Sequence, residues 1–193
     1  MKRIPTGSQT IGPFFREALK RPAWSDLTRD GARGEIVRID GAVFDGDGNP
    51  VPDALIEIWQ AGPDGRYAHP DDLGPVPSDR LFRGFGRACT DLEGRFWFRT
   101  VVPGAVEGPD GVRHAPHVNV NVFARGLLRQ LVTRIYFSDR AEQNARDPVL
   151  ASIADEAARK TLIAEKIAPQ GGFVSYRFDI VLQGAGETAF FAI

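Results

Sequence analysis

From Glu35 onward, apolar and polar residues alternate in short runs of period two, the pattern of strands that bury one face. Glu35 to Phe44 is the first run. The cluster Asp45-Gly46-Asp47-Gly48-Asn49-Pro50 after it tolerates tight-turn backbone angles and predicts a hairpin into a second strand over Asp53 to Gln60. That strand carries Leu55 and Trp59 on one side and Ile56 and Ile58 on the other, so it is expected to be central and covered on both faces. Phe82 to Thr90 and Phe96 to Val101, joined across Asp91-Leu92-Glu93-Gly94, predict a further hairpin. Val118, Val120 and Val122 alternate with His117, Asn119 and Asn121, giving one strand an apolar and a polar face. Leu131 to Phe137 is another strand. Val174, Tyr176, Phe178, Ile180 and Leu182 form the longest strict alternation, and Glu187 to Ile193 adds a last edge.

Helical signals are sparse. Asp147 as N-cap, Pro148 at the first helical position, and Leu150, Ile153, Ala154 and Ala157 at helical spacing predict one surface helix. A shorter possibility lies around Arg16 to Lys20. Many short strands without βαβ units predict an all-β, two-sheet β-sandwich. Thr6 to Gly34 has scattered glycines, prolines and isolated aromatics and reads as an arm packed on its own domain or on a partner. The expected division is an N-terminal arm, 1–34, and one sandwich domain, 35–193. Ala61 to Ser78, with Tyr67 and His69, is a loop long enough to expect a functional role.

Composition narrows the functional classes. The 193 residues are 42% hydrophobic and 25% charged, ordinary values for one folded domain. Lysine plus arginine number 24 against 25 acidic residues, so no global field draws the chain to nucleic acid or to anionic lipid. Cys89 stands alone, which excludes an intrachain disulfide and suits a reducing cytoplasm. The N-terminus lacks the apolar core of a signal peptide. No apolar stretch approaches the roughly 20 residues of a membrane-spanning helix. No Walker loop, dinucleotide fingerprint, HExxH or GxSxG is present.

Three histidines remain as candidate chemistry. Only His117 lies on a predicted strand, and its same-face neighbour two residues on is Asn119, so the pair supplies half of a His-x-His metal site. Spacing alone favours the other reading, a hydrogen-bonded polar row at a partly buried edge or subunit contact. Tyr67 reads as a phenolate ligand or as loop packing. Arg125 reads as a carboxylate clamp or as an ordinary ion pair. Arg83 and Arg87 read as surface ion pairs.

Several strings together carry a resemblance: Ser8-Gln9-Thr10-Ile11-Gly12-Pro13-Phe14, Asp53 to Ala61, Ala115-Pro116-His117-Val118-Asn119-Val120, Phe123-Ala124-Arg125-Gly126, Thr133 to Phe137, Asp147-Pro148-Val149-Leu150 and Gln183 to Thr188. In this order, from Thr6 to Ile193, they resemble the intradiol aromatic-ring dioxygenases, and within them the iron-free chain of the alpha–beta pairs that cleave protocatechuate with O2. The resemblance implies a β-sandwich that holds non-haem iron(III) through two tyrosines and two histidines in the beta chain. Tyr67 matches the first tyrosine and His117 the first histidine. The other two positions fall on Asn119 and near Val106, so the ligand set is degenerate and no iron is expected in this chain. The same resemblance assigns Thr10, Ile11, Gly12, Pro13 and Arg125 to the wall around a partner's substrate, Arg125 facing a carboxylate. Two other readings stay open: an iron-free binding module, and a self-sufficient enzyme using Tyr67, His117 and substituted ligands.

Overall fold

Short strands following one another through the chain divide between two sheets. The computed structural model describes residues 5–12, 14–72, 74–75, 77–79, 81–108 and 111–192. The strands are β1 (Ile36–Phe44), β2 (Leu55–Gln60), β3 (Phe85–Cys89), β4 (Arg95–Val101), β5 (Val106–Glu107), β6 (Arg113–His114), β7 (His117–Phe123), β8 (Leu131–Phe137), β9 (Ile163–Gln170), β10 (Phe173–Arg177) and β11 (Ile180–Val181). Among the described residues four short α-helices accompany them: α1 (Phe14–Leu19), α2 (Ala141–Asn144), α3 (Pro148–Ser152) and α4 (Glu156–Lys160). One sheet runs β4, β1, β10, β9, with β11 pairing the end of β1; the other runs β8, β7, β2, β3. The two meet at β9, antiparallel to β10 and parallel to β8 over Tyr136–Ile163 and Phe137–Ala164.

The expected sandwich is therefore present, and its core follows from the alternation. Val37, Ile39, Phe96 and Phe98 from one sheet meet Ile56, Ile58, Val118, Val120, Val122 and Ile135 from the other in one contiguous buried cluster. Each such side chain contributes about 1.5–3 kcal/mol by leaving water. The β2 strand is covered on its second face as well at Leu55, which is fully buried, while Glu57 and Trp59 stay partly open there.

Neither predicted hairpin forms between its two strands. The first turn is tight, with the Asp47 and Asn49 amides donating to Asp45 Oδ1 at 2.9 and 2.8 Å and Phe44 bridging Pro50. The chain then crosses layers: β1 pairs with β4, β10 and β11, whereas β2 pairs with β3 and β7. The Asp91–Gly94 turn likewise sends β4 to the opposite sheet from β3. Turn residues encode a reversal of direction and carry no information about which layer receives the next strand.

Three other expectations need correction. The single helix after Asp147 is two, because Ile153 (φ −86°, ψ 104°) leaves helical geometry and Asp155 caps a second start through the Ala157 amide at 2.8 Å. The alternation from Val174 to Leu182 is interrupted at Phe178–Asp179, where Asp179 Oδ1 accepts from the Ala42 amide at 2.8 Å. No strand forms over 187–192; that segment lies alongside through single bonds, Thr188 N to Val181 O and Phe191 N to Val132 O. The β9 strand has no counterpart among the expected elements, since most of its residues are exposed and show no period-two apolar face.

The N-terminal segment packs on the sandwich. Trp24 meets Phe85 edge-on at 5.9 Å and lies under the Arg87 guanidinium, and Asp26 pairs with Arg99.

The break at Phe178 predicts one critical glycine. A Cβ on Gly41 would sit 2.0 Å from the Phe178 carbonyl oxygen, whereas one on Gly12 would meet nothing within 4 Å. In denaturant unfolding, Gly41→Ala is expected to lose about 1–3 kcal/mol or more, the usual cost of overpacking, with Gly12→Ala unchanged. Equal midpoints for the two variants would contradict this packing.

Candidate functional site

Strand pairing writes a polar row across the outer face of the β8–β7–β2–β3 sheet. The valines of β7 point inward, so its histidine and asparagines must point out, and the register sets Phe85, Trp59, Asn119 and Arg134 side by side on four successive strands. His117 lies opposite Tyr136 one pair further along. The long loop folds over this row. Its turn at Gly65 (φ +75°) would place any Cβ 2.2 Å from the Ala105 carbonyl oxygen. Asp72 Oδ2 accepts from the Tyr67 amide at 2.7 Å, and the Tyr67 ring stacks on Trp59 with centroids 5.8 Å apart. The β5–β6 ribbon forms the facing wall. Between them lies a cleft of about 710 Å³ that Tyr67, Val106, His69, His114, His117 and Arg134 help to line.

One chain of hydrogen bonds fixes the floor. Asn119 Nδ2 donates to the Tyr67 hydroxyl oxygen at 3.3 Å and to the Trp59 carbonyl at 3.2 Å, while its Oδ1 accepts from Arg134 Nε at 3.1 Å. Arg134 also donates to the Tyr136 hydroxyl at 3.3 Å, which in turn donates to Asp147 Oδ1 at 3.0 Å. Asp147 is fully buried and accepts from the Ala115, Val149 and Leu150 amides as well, so it ties the start of β7 to α3. His117 Nδ1–H donates to the Ala115 carbonyl at 2.8 Å, which leaves Nε2 as the ring's lone-pair nitrogen. Burial, reinforced by the Arg134 charge, lowers the His117 pKa to about 4. Burial raises the Tyr67 hydroxyl pKa against the opposing effects of Asn119 and Arg134. At neutral pH the floor is therefore a neutral imidazole, a protonated phenol, an amide and one guanidinium.

A family model described as Dioxygenase matches residues 12–184. The chain belongs to the intradiol ring-cleavage dioxygenase family. It is 41% identical to the protocatechuate 3,4-dioxygenase alpha chain of Pseudomonas putida, over 96% of this chain and 95% of the relative. The beta chain of the enzyme of that name from Burkholderia cepacia is 36% identical over 94% of this chain and 77% of its own length. Among solved structures, the dioxygenase domain of a dioxygenase carbohydrate-binding fusion from Streptomyces sp. SirexAA-E superposes with a TM-score of 0.59 at 28% identity, covering 94% of this chain and all of that domain.

Intradiol dioxygenases in general depend on non-haem iron(III). The positions that the resemblance aligns with iron ligands do come together here, yet their donors do not fit the metal. Val106 has no donor atom. The acceptor oxygen of Asn119 is engaged by Arg134. Tyr67 can supply one phenolic oxygen, but its hydroxyl is already hydrogen-bonded by Asn119. His117 Nε2 alone remains, and a fixed guanidinium shares the cleft.

The other candidates lie elsewhere. Arg125 follows the far end of β7, about 20 Å along the strand from His117 at ordinary strand rise. Its side chain is 62% exposed and pairs with Asp53, so the ion-pair reading describes its state in this chain alone. Thr10 Oγ1 accepts from the Gly126 amide at 2.8 Å, which holds the arm, with Ile11 and Gly12, beside Arg125. Pro13 lies outside the described residues. Arg87, read as a surface pair, bonds Glu57 but is largely buried beside Trp24. The sequence reading missed Arg134 and His114. Arg134 alternates with the inward Thr133 and Ile135, so its outward direction was legible; His114 sits on a two-residue strand with no periodic signal.

The neutral His117 has a measurable consequence. In the unfolded chain its ring titrates near 6.5, and in the folded chain near 4, so the unfolded state binds the extra proton between those values and stability falls as pH drops through that window. The loss is up to about 3 kcal/mol, the free energy of keeping one proton off the ring across that span of pH. His117→Asn, which keeps a donor toward Ala115, is expected to flatten the melting-temperature profile between pH 6.5 and 4; an unchanged slope would show that another group produces it.

Proposed function

We propose that this chain is the iron-free alpha chain of a protocatechuate 3,4-dioxygenase. It works beside an iron(III)-bearing beta chain in a cytoplasmic hetero-oligomer of alpha–beta pairs. Together they open the protocatechuate ring between its two hydroxyl-bearing carbons with O2, and both oxygen atoms enter 3-carboxy-cis,cis-muconate. The observation that carries the reading is a separation within one molecule. The four positions that the resemblance aligns with iron ligands, Tyr67, Val106, His117 and Asn119, make no complete ligand set, while Thr10 and Arg125 stand together at the other end of β7, facing outward. Residues so placed cannot reach the chain's own cleft and suit a site completed by a neighbour.

In that role this chain contributes geometry and local charge. The Arg125 guanidinium receives the substrate carboxylate through paired N–H donors. Glycine at position 12 lets backbone approach the ring closely, and the arm narrows the pocket and excludes water. Phe14, 82% exposed in the isolated chain, supplies an apolar side chain that gains by burial against the beta chain.

Two measurements test this. The chain should co-purify with its beta partner, and ring cleavage of protocatechuate should require both; full activity of the beta chain alone would favour a binding module without a catalytic role. In the complex, Arg125→Ala should raise the KM for protocatechuate about tenfold or more, as expected for a charge-assisted contact. Catechol, which lacks the carboxylate, should be unaffected. Equal changes for both substrates would remove Arg125 from the pocket.

A further inference from the structure

Among the described residues, the cleft over β7 and β8 holds a cation with no direct ion-pair partner, the buried Asp147 reaching it only through Tyr136. Among the described residues no carboxylate lies within ion-pair distance of Arg134, although the other guanidinium lining the cleft is matched: Arg66 pairs with Asp72. Of the five N–H groups of Arg134, one serves Asn119 and one Tyr136, so three have no protein acceptor among the described residues. Tyr67 is in the same condition. Its hydroxyl oxygen accepts from Asn119, and its own O–H has no acceptor among the described residues. Asn119 thus bridges two groups that line a cleft of about 710 Å³ and whose remaining donors have no protein acceptor among the described residues.

The walls add a second requirement. Trp59, Tyr67, His69, His114 and His117 present five rings, with Trp59 stacked on Tyr67 and His69 set edge-on to Trp59. Such a surface favours a flat, apolar body. The lining also carries two exposed carboxylates, Asp71 and Glu107, which disfavour a second negative group beside them.

We propose that this cleft is a receptor for a small aromatic monocarboxylate, its carboxylate held by Arg134 and the Tyr67 hydroxyl and its ring set against the aromatic wall. Calorimetric titration of benzoate into the alpha–beta complex tests it, because binding lost on changing residues of this chain belongs to this chain. The unsubstituted complex takes up one benzoate per copy of this chain that Arg134→Gln weakens at least about tenfold. Tyr67→Phe keeps the stacked ring and weakens uptake less, and Arg134→Lys retains part of it. Phthalate, with two carboxylates, binds more weakly than benzoate. Ring-cleaving activity and the assembly of the complex are unchanged by Arg134→Gln. If that variant fails to assemble, Tyr67→Phe carries the test. Isotherms that these substitutions leave superimposable on the unsubstituted one, or an absence of uptake attributable to this chain, overturn the proposal. The titration does not depend on Arg125, so it fails or succeeds separately from the assigned substrate contact.

Discussion

The hydrogen bond from Arg134 to Asn119 decides what the cleft of this chain can be. Asn119 has one acceptor oxygen, and the guanidinium on the neighbouring strand takes it. Its amide nitrogen then turns to Tyr67 and to the Trp59 backbone, so the residue that the resemblance sets at a histidine position becomes a linker between a phenol and a cation. Strand register enforces the arrangement, since Asn119 and Arg134 are directly paired on β7 and β8. Tyr136 and the buried Asp147 brace the guanidinium from the other side. The positive charge in this family's characteristic cleft is here part of the polypeptide.

This constraint gives the two ends of β7 different chemistry. At the His117 end Tyr67, Asn119, Arg134 and Tyr136 are linked to one another by hydrogen bonds beside an enclosed, neutral His117. At the Phe123 end the chain continues into Arg125 and Gly126, where Thr10 fastens the arm and the side chains face outward. A fold that places the residues proposed to contact substrate far from its own cleft is suited to lend them to another chain. The 41% identity to an alpha chain and 36% identity to a beta chain fit a pair in which the two members share a sandwich and differ in what fills it.

How much of this the sequence discloses depends on the kind of information sought. Period-two runs located β1, β2, β7 and β8 because each buries one full face, and the outward direction of His117 and Asn119 followed directly. Layer assignment was not legible. The Asp45–Pro50 and Asp91–Gly94 clusters mark true reversals, yet the strands they join pair with distant segments. The helix after Asp147 was misread as continuous because spacing alone does not register a second N-cap at Asp155. Val106 and Asn119 came from the resemblance, which set them at ligand positions that valine and asparagine do not fill as tyrosine and histidine would. His114 and His69 reach it from a two-residue strand and a loop, elements without periodicity, so only the fold brings them in.

The central claim is that this polypeptide cannot hold iron by itself, and metal analysis of the chain purified free of its partner from iron-replete cells addresses it most directly, read together with the visible absorption spectrum. The account predicts iron far below one atom per chain and no tyrosinate-to-iron charge-transfer band. A full equivalent of iron with that band, abolished by Tyr67→Phe, would contradict it.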